Sequence, residues 1–107
     1  MTDQEQVAAL LEFFKNLADA NRLKIVGMLA QNPSSVEALA AGLGLSVSTT
    51  SHHLSRLARS GLVSARADGH YYIYSLDTEK LREMSQHLLS DENLAGLLAR
   101  WAKKQGI

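Results

Sequence analysis

The chain has 107 residues, 46% of them hydrophobic, enough for one domain with a modest core and too few for two. It contains no cysteine, which excludes disulfides, thiolate metal sites and thiol redox switching. Eleven basic and eleven acidic residues cancel, so the overall charge points to no polyanionic partner. The start, Met-Thr-Asp-Gln-Glu, is acidic and polar, and no stretch approaches the length of a bilayer span. The expectation is a soluble cytoplasmic protein with no membrane partner. The charge is unevenly spread, because between Ser46 and Ser75 the basic Arg56, Arg59 and Arg66 oppose Asp68 alone.

From Gln4 to Ala18 the positions Val7, Leu10, Leu11, Phe14 and Leu17 repeat with a helical period, and Phe13 lies off the centre of that stripe. An extra aromatic on a terminal helix implies a second surface to bury. Asp19 caps a second helix, Asn21 to Ala30, with Leu23, Val26, Met28 and Leu29 as its apolar positions, and Gln31-Asn32-Pro33 breaks it. Ser34 with Glu37 three residues on has the form of a capping box. It opens a short third helix through Val36, Leu39, Ala40 and Leu43, whose end Gly42 and Gly44 bracket.

A fourth helix follows at once and ends at Gly61. Its predicted inner face is Val47, Thr50, Leu54, Leu57 and Ala58, with Ser46 leading in. Ser48, Thr49, His52, Ser55, Arg56 and Arg59 fall together on the outer side. Small hydroxyls, an imidazole and two guanidinia make a surface suited to reading nucleic acid. His53 falls at the edge of the buried face and reads as a structural, hydrogen-bonded histidine. Two short helices joined by a tight glycine-containing turn form the helix-turn-helix pattern.

After Gly61 the period changes to two. Leu62, Val63, Ala65 and Ala67 lead to an Asp68-Gly69 hairpin signal, and His70 to Leu76 returns, predicting a two-stranded wing with Tyr71 and Ile73 in the core. From Asp77 the helical period resumes through Leu81, Met84 and Leu88 and is interrupted near Ser90. Ser90 with Asp91 and Glu92 has the form of a fresh cap, so residues 77–104 are either one helix or two, the second carrying Leu94, Leu97, Leu98 and Trp101. The fold class is therefore mainly α with a small β-hairpin, a winged helix-turn-helix of order ααααββα with or without a sixth helix.

Three stretches, FFKNLADANRLKIV, LGLSVSTTSHHLSRLARSGLV and DGHYYIYSL, occur in the order and spacing of the ArsR/SmtB winged-helix transcriptional regulators, and the chain resembles that family over nearly its whole length. The resemblance implies a single winged-helix DNA-binding domain over residues 1–107, acting as a homodimeric repressor that releases DNA when an inducer binds. It makes Val47 to Ser60 the recognition helix. Ser46, Ser48, Thr49, His52 and Ser55 are then groove contacts, Arg56 and Arg59 phosphate contacts, and Arg66, His70 and Tyr72 the wing's grip. Helices 4–18 and 77–104 would form the dimer interface through Leu10, Phe13, Phe14, Leu17, Met84, Leu88, Leu98 and Trp101. The partner would be double-stranded DNA carrying an inverted-repeat operator.

The family's usual inducer sites are missing. Where arsenic and lead sensors of the family place a cysteine pair, the sequence has Ser35, Val36, Glu37, Ala38 and Leu39, and the zinc and nickel positions align with Thr78, Lys80, Asp91 and Leu94. No cofactor is expected and no inducer is named. Glu83, His87 and Asp91, spaced four apart, offer a histidine/carboxylate metal site as an alternative reading. A winged-helix protein-interaction module is the alternative from another class, and there the outer arginines would be a solvated face. No nucleophile and base arrangement, phosphate-binding glycine loop or paired-carboxylate pocket suggests an enzyme.

Overall fold

The computed structural model describes the backbone of residues 1–88 and 91–107 and the side-chain surroundings of residues 1–86 and 94–107. In chain order the elements are α1 (Asp3–Leu17), α2 (Ala20–Gln31), β1 (Ser34–Ser35), α3 (Val36–Leu43), α4 (Val47–Arg59), β2 (Val63–Asp68), β3 (Tyr71–Leu76), α5 (Thr78–Leu88) and α6 (Asp91–Lys104). Residues 77–104 thus contain two helices, and the cap expected at Ser90 lies outside the described residues. No helix among the described residues is long and apolar enough to cross a membrane.

Thr2 caps α1, its hydroxyl accepting the Glu5 N–H at 3.1 Å. The buried stripe of α1 is Val7, Leu10 and Phe13, continued by Asn16. This corrects the phase expected from the sequence: Phe13 is only 3% exposed, whereas Leu11 is 60% and Phe14 43% exposed. Both stripes have helical spacing, and the choice falls to the packing partners, since Phe13 and Leu10 pack with Leu17, Leu81, Met84 and Leu94.

The second cluster is the helix-turn-helix core, formed by Ile25, Val26, Leu29, Leu39, Leu54, Leu57, Leu62 and Val63. Ile25, absent from the stripe expected for α2, is fully buried, while Leu23 is exposed. The cap of α3 is Ser35, not Ser34: the Ser35 hydroxyl accepts the Ala38 N–H at 3.1 Å. Ser34 belongs to β1. The turn into α4 begins at Gly44, whose φ of 68° a side chain would resist. There Leu45 N–H donates to Ala40 O at 3.0 Å and Gly44 N–H to Ala41 O at 3.3 Å, the pair of bonds of a Schellman stop. The same pattern closes α4, with Leu62 N–H on Leu57 O and Gly61 N–H on Ala58 O.

The sheet has three strands in the order β1-β3-β2, all antiparallel, rather than the two expected. Two residues of β1 pair with Tyr74 and Ile73, a strand too short to show any period. The hairpin turn is Gly69-His70, one residue later than expected, because Asp68 still pairs with Tyr71. Gly69 has φ 63° and His70 has no positive φ, which fits a type II′ turn with glycine at its first central position. Beyond the sheet, Asp77 N–H donates to Leu62 O at 2.8 Å while its carboxylate accepts the Lys80 N–H at 3.0 Å, so the start of α5 is tied to the end of α4.

Asp19 caps α2, accepting the Asn21 and Arg22 N–H groups at 2.9 and 3.0 Å. The Arg22 backbone N–H, aided by the Arg22 charge and the Asn21 N–H, holds the Asp19 carboxyl below its ordinary 3.8 against the opposing effect of burial. Because the folded value is the lower one, the stabilisation is present above the ordinary value of 3.8 and is lost as pH falls through the folded value. Asp19→Ala is expected to cost about 1 kcal/mol at pH 7 and Asp19→Asn much less, measured by urea unfolding. The difference between wild type and Asp19→Asn should shrink in acid.

Candidate nucleic-acid interface

Helix α4 divides cleanly. Thr50, His53, Leu54 and Leu57 face the core, and Val47 and Ala58, expected there, are exposed. Both sit at the flank of the buried arc, where the core has already closed. Ser48, Thr49, His52, Ser55 and Arg59 are exposed and Arg56 is half-buried, so the outer face expected from the sequence is brought together on one side of one helix. Among the described residues, the acid and base pairs within 4 Å do not include Arg56, Arg59 or Arg66.

The hydroxyls at the start of α4 are in different states. Ser46 is exposed and caps the helix, accepting the Thr49 N–H at 3.0 Å and donating to the Thr49 hydroxyl at 2.9 Å. Its proton is already committed, which leaves the exposed Thr49 hydroxyl to donate outward. The Thr50 hydroxyl is consumed internally on the Ser46 carbonyl at 2.9 Å.

The wing presents two different faces. Directly paired residues of an antiparallel ladder point to the same side, so Arg66, Ile73, Asp68 and Tyr71 share one face, and Ala65, Tyr74, Ala67 and Tyr72 the other. Val63, Tyr74 and Leu76 pack on the helix-turn-helix core. Tyr71, expected in the core, is 54% exposed, because its face is the outer one and it lies at the tip. Ile73 is half-buried. Arg66, His70 and Tyr72 are all exposed, Arg66 and Tyr72 on opposite faces.

Behind α4 lies a polar cluster of which the sequence announces only His53, expected there as a structural, hydrogen-bonded histidine. Arg22, only 9% exposed, donates from Nε to Asn16 O at 2.8 Å and from Nη2 to Lys15 O at 3.1 Å, and its Nη1 lies 3.4 Å from His53 Nδ1. Those carbonyls belong to the last turn of α1, where the helix has no amide left to pair them. Since guanidinium only donates, His53 Nδ1 accepts and the imidazole hydrogen sits on Nε2. The Asn16 amide, itself buried, donates to the Ser60 hydroxyl at the end of α4. An arginine in a helical period reads as solvated, and only the Asp19-x-x-Arg22 spacing hinted otherwise.

The residues expected at a dimer interface separate into three sets by burial. Leu10 and Phe13 are enclosed within the protomer, Leu17, Met84 and Trp101 are half-buried, and Phe14 and Leu98 are exposed together with Leu11. The Trp101 indole N–H is enclosed with no acceptor among the described residues. Helices α1 and α6 are joined at their ends by Asp3, which pairs with Arg100 at 3.1 Å and Lys104 at 3.8 Å. The surroundings of the Leu88 side chain lie outside the described residues. Of the alternative metal site, Glu83 is exposed, and the side chains of His87 and Asp91 are outside the described residues. No group of three His, Cys, Asp or Glu residues among the described ones could hold a metal ion.

The family profile described as bacterial regulatory protein, arsR family, matches residues 19–65, from the cap of α2 into the wing. The chain is 36% identical over 80 residues to the HTH-type transcriptional regulator KmtR of Mycobacterium tuberculosis, covering 75% of this chain and 62% of KmtR. It thus spans less than two thirds of that relative. It is 34% identical over 85 residues to the transcriptional activator HlyU of Vibrio cholerae, covering 79% of each. The solution NMR structure of the homodimeric winged helix-turn-helix DNA-binding domain of Mb0332 from Mycobacterium bovis matches with a TM-score of 0.65 at 34% identity, covering 85% of this chain and 83% of that one. The chain therefore belongs to the ArsR family of bacterial transcriptional regulators, which are not enzymes, and its fold is the winged helix-turn-helix.

The buried guanidinium makes a sharp prediction. Arg22→Met fills similar volume but strands two helix-end carbonyls and the His53 nitrogen, and should cost about 2 to 3 kcal/mol in urea unfolding. His53→Leu removes one partner and should cost less.

Proposed function

We propose that this chain is a homodimeric, sequence-specific DNA-binding regulator that represses by occupying an inverted-repeat operator in the cytoplasm. The observation that carries the reading is the division of α4, with one face sealed in the core and the other presenting hydroxyls, an imidazole and arginines unpaired with any described acid. Ser48, Thr49, His52 and Ser55 are short enough for the helix to enter a major groove, where they would meet base edges. Arg56 and Arg59 would neutralise phosphates. Arg66, His70 and Tyr72 would engage the neighbouring backbone or minor groove from the wing.

Dimerisation is supported by the shape of the protomer. Its accessible surface is 6850 Å², against about 5,900 Å² for a monomeric protein of this mass. The excess of about 1,000 Å² is close to one partner's share of a standard interface, about 800 Å². The radius of gyration of 16.1 Å also exceeds the roughly 13 Å of a compact domain of this length. The exposed apolar residues Leu11, Phe14 and Leu98 on the terminal helices supply a surface to cover. Two-fold symmetry then sets the α4 helices about one DNA turn, roughly 34 Å, apart.

Repression by occupancy needs no cysteine or Asp/His metal site, and the sequence has no cysteine. The name of HlyU shows that a relative of this chain can activate, so the sign of regulation is a property of operator placement on this reading.

Two experiments test the proposal. Selection from a random duplex library should enrich an inverted repeat, and binding to it should weaken steeply with salt, with the slope of log K against log salt reduced by about one for each of Arg56→Ala and Arg59→Ala. Enrichment of no inverted repeat would refute it. Separately, Leu11→Glu combined with Leu98→Glu should convert the protein to a monomer in sedimentation velocity, with helix content kept and operator affinity reduced at least a hundredfold.

A further inference from the structure

The apolar packing leaves one relation in the molecule unexplained: what fixes the angle between α1, which bears exposed Leu11 and Phe14, and α4, which bears the outward polar face. Leu10 and Phe13 of α1 lie in one buried cluster, and Leu54 and Leu57 of α4 in another. The two clusters share no buried residue, and half-buried Leu17, Leu81 and Met84 pack on both. Apolar contact of that kind is attractive without being directional.

Directional contacts between the helices are made by the polar cluster. Arg22 holds the final carbonyls of α1 and reaches His53, and Asn16 of α1 reaches Ser60. His53 and Ser60 are seven residues apart, two helical turns or about 10 Å along the axis of α4, and so lie on the same side of it. One tether lets a helix pivot, whereas two on the same side fix its direction. Both run to the same end of α1. Arg22 and Asn16 are almost wholly buried, at 9% and 3% exposure, so these bonds are shielded from competing water.

We propose that Arg22, Asn16, His53 and Ser60 are positioning residues for DNA recognition: they lock α4 at a set angle to α1, and so determine which separation of half-sites the dimer accepts. The proposal rests on the reading of α4 as the DNA-contacting helix and of α1 as part of the dimer face. None of the four touches DNA in that reading. Their loss should therefore relax spacing selectivity rather than base preference.

Two measurements decide it, one with DNA and one without. In the first, duplexes carrying the selected half-sites are varied by one and two base pairs in separation, and binding by wild type, Arg22→Lys and Ser60→Ala is compared. Arg22→Lys keeps the charge and loses the fork of donors, while Ser60→Ala removes a single hydroxyl from a half-buried position and is the smaller perturbation of the fold. Wild type should discriminate against the wrong spacing, and Ser60→Ala should lower that ratio about tenfold while keeping base preference within each half-site. Equal weakening at every spacing, or no change, overturns the proposal.

The second measurement is independent of operator binding. The chain has no cysteine, so Glu12→Cys on α1 and Ser55→Cys on α4 can carry spin labels, with labelled protomers diluted in unlabelled chain. The distance distribution between the labels should be narrow in the otherwise native protein and broaden in both variants. Unchanged width would overturn the locking role whatever DNA selection shows. Absence of any inverted repeat in the selection, with broadening still present, would instead reject the DNA reading and leave the lock standing.

Discussion

Everything in this fold depends on the demand that one helix serve two environments at once. Thr50, Leu54 and Leu57 of α4 have no exposed surface, and together with Ile25, Leu39 and Leu62 they form the fully buried centre of the molecule. Truncating a leucine there would cost about 2 to 5 kcal/mol, a large part of the stability of a domain this size. The one polar group in that layer is neutralised locally, since the Thr50 hydroxyl spends its hydrogen on the Ser46 carbonyl. With the inner face held by packing, the outer face makes no demand on the fold. Its composition is then free to follow the chemistry of a partner, which is why a run of hydroxyls, imidazole and guanidinium there is informative.

The wing obeys the same division with distance from the core. Val63, Tyr74 and Leu76 sit at the base of the hairpin and pack on the helix-turn-helix cluster, and β1 covers the other edge of β3 there. Toward Gly69 the strands outrun the core, and Tyr71 and Tyr72 are exposed on opposite faces. Aromatic residues on both sides of an unsupported tip suit a ribbon that is gripped between two walls, as in a groove, better than one that lies flat on a surface. The third strand matters here, because a two-stranded ribbon alone is marginal in water.

Most of the helices were legible from the sequence because their period is long enough to measure and their caps have distinct chemistry. Asp19, Gly44 and Gly61 fall where the sequence places them. The failures share a physical cause. Two residues of β1 are too few for any period, and their pairing with β3 is a tertiary event. In α1, Val7 and Leu10 belong to both candidate stripes, so choosing Phe13 over Phe14 required the position of α5 and α6. The outer face of α4 was readable as a candidate site because all its members lie within one helix. The Arg22 cluster was not, because its partners Lys15, Asn16 and His53 come from two other elements and two of the contacts are to backbone carbonyls, which carry no sequence signal.

A neutral chain is an unexpected carrier for a polyanion-binding face, and the placement of the acids resolves the conflict. Asp3 is engaged with Arg100 and Lys104 where α1 meets α6, Glu79 with Arg82 on α5, and Asp19 with the amides that open α2. None of these is on α4 or the wing, where residues 46–75 carry Asp68 as their one acid beside Arg56, Arg59 and Arg66. At physiological salt, fields between exposed charges fade over about 8 Å, so what a partner at α4 meets is the local charge and not the sum over the chain. In the proposed dimer the two-fold axis would repeat that local excess a helical turn away, making a doubled basic surface from a protein whose net charge is zero.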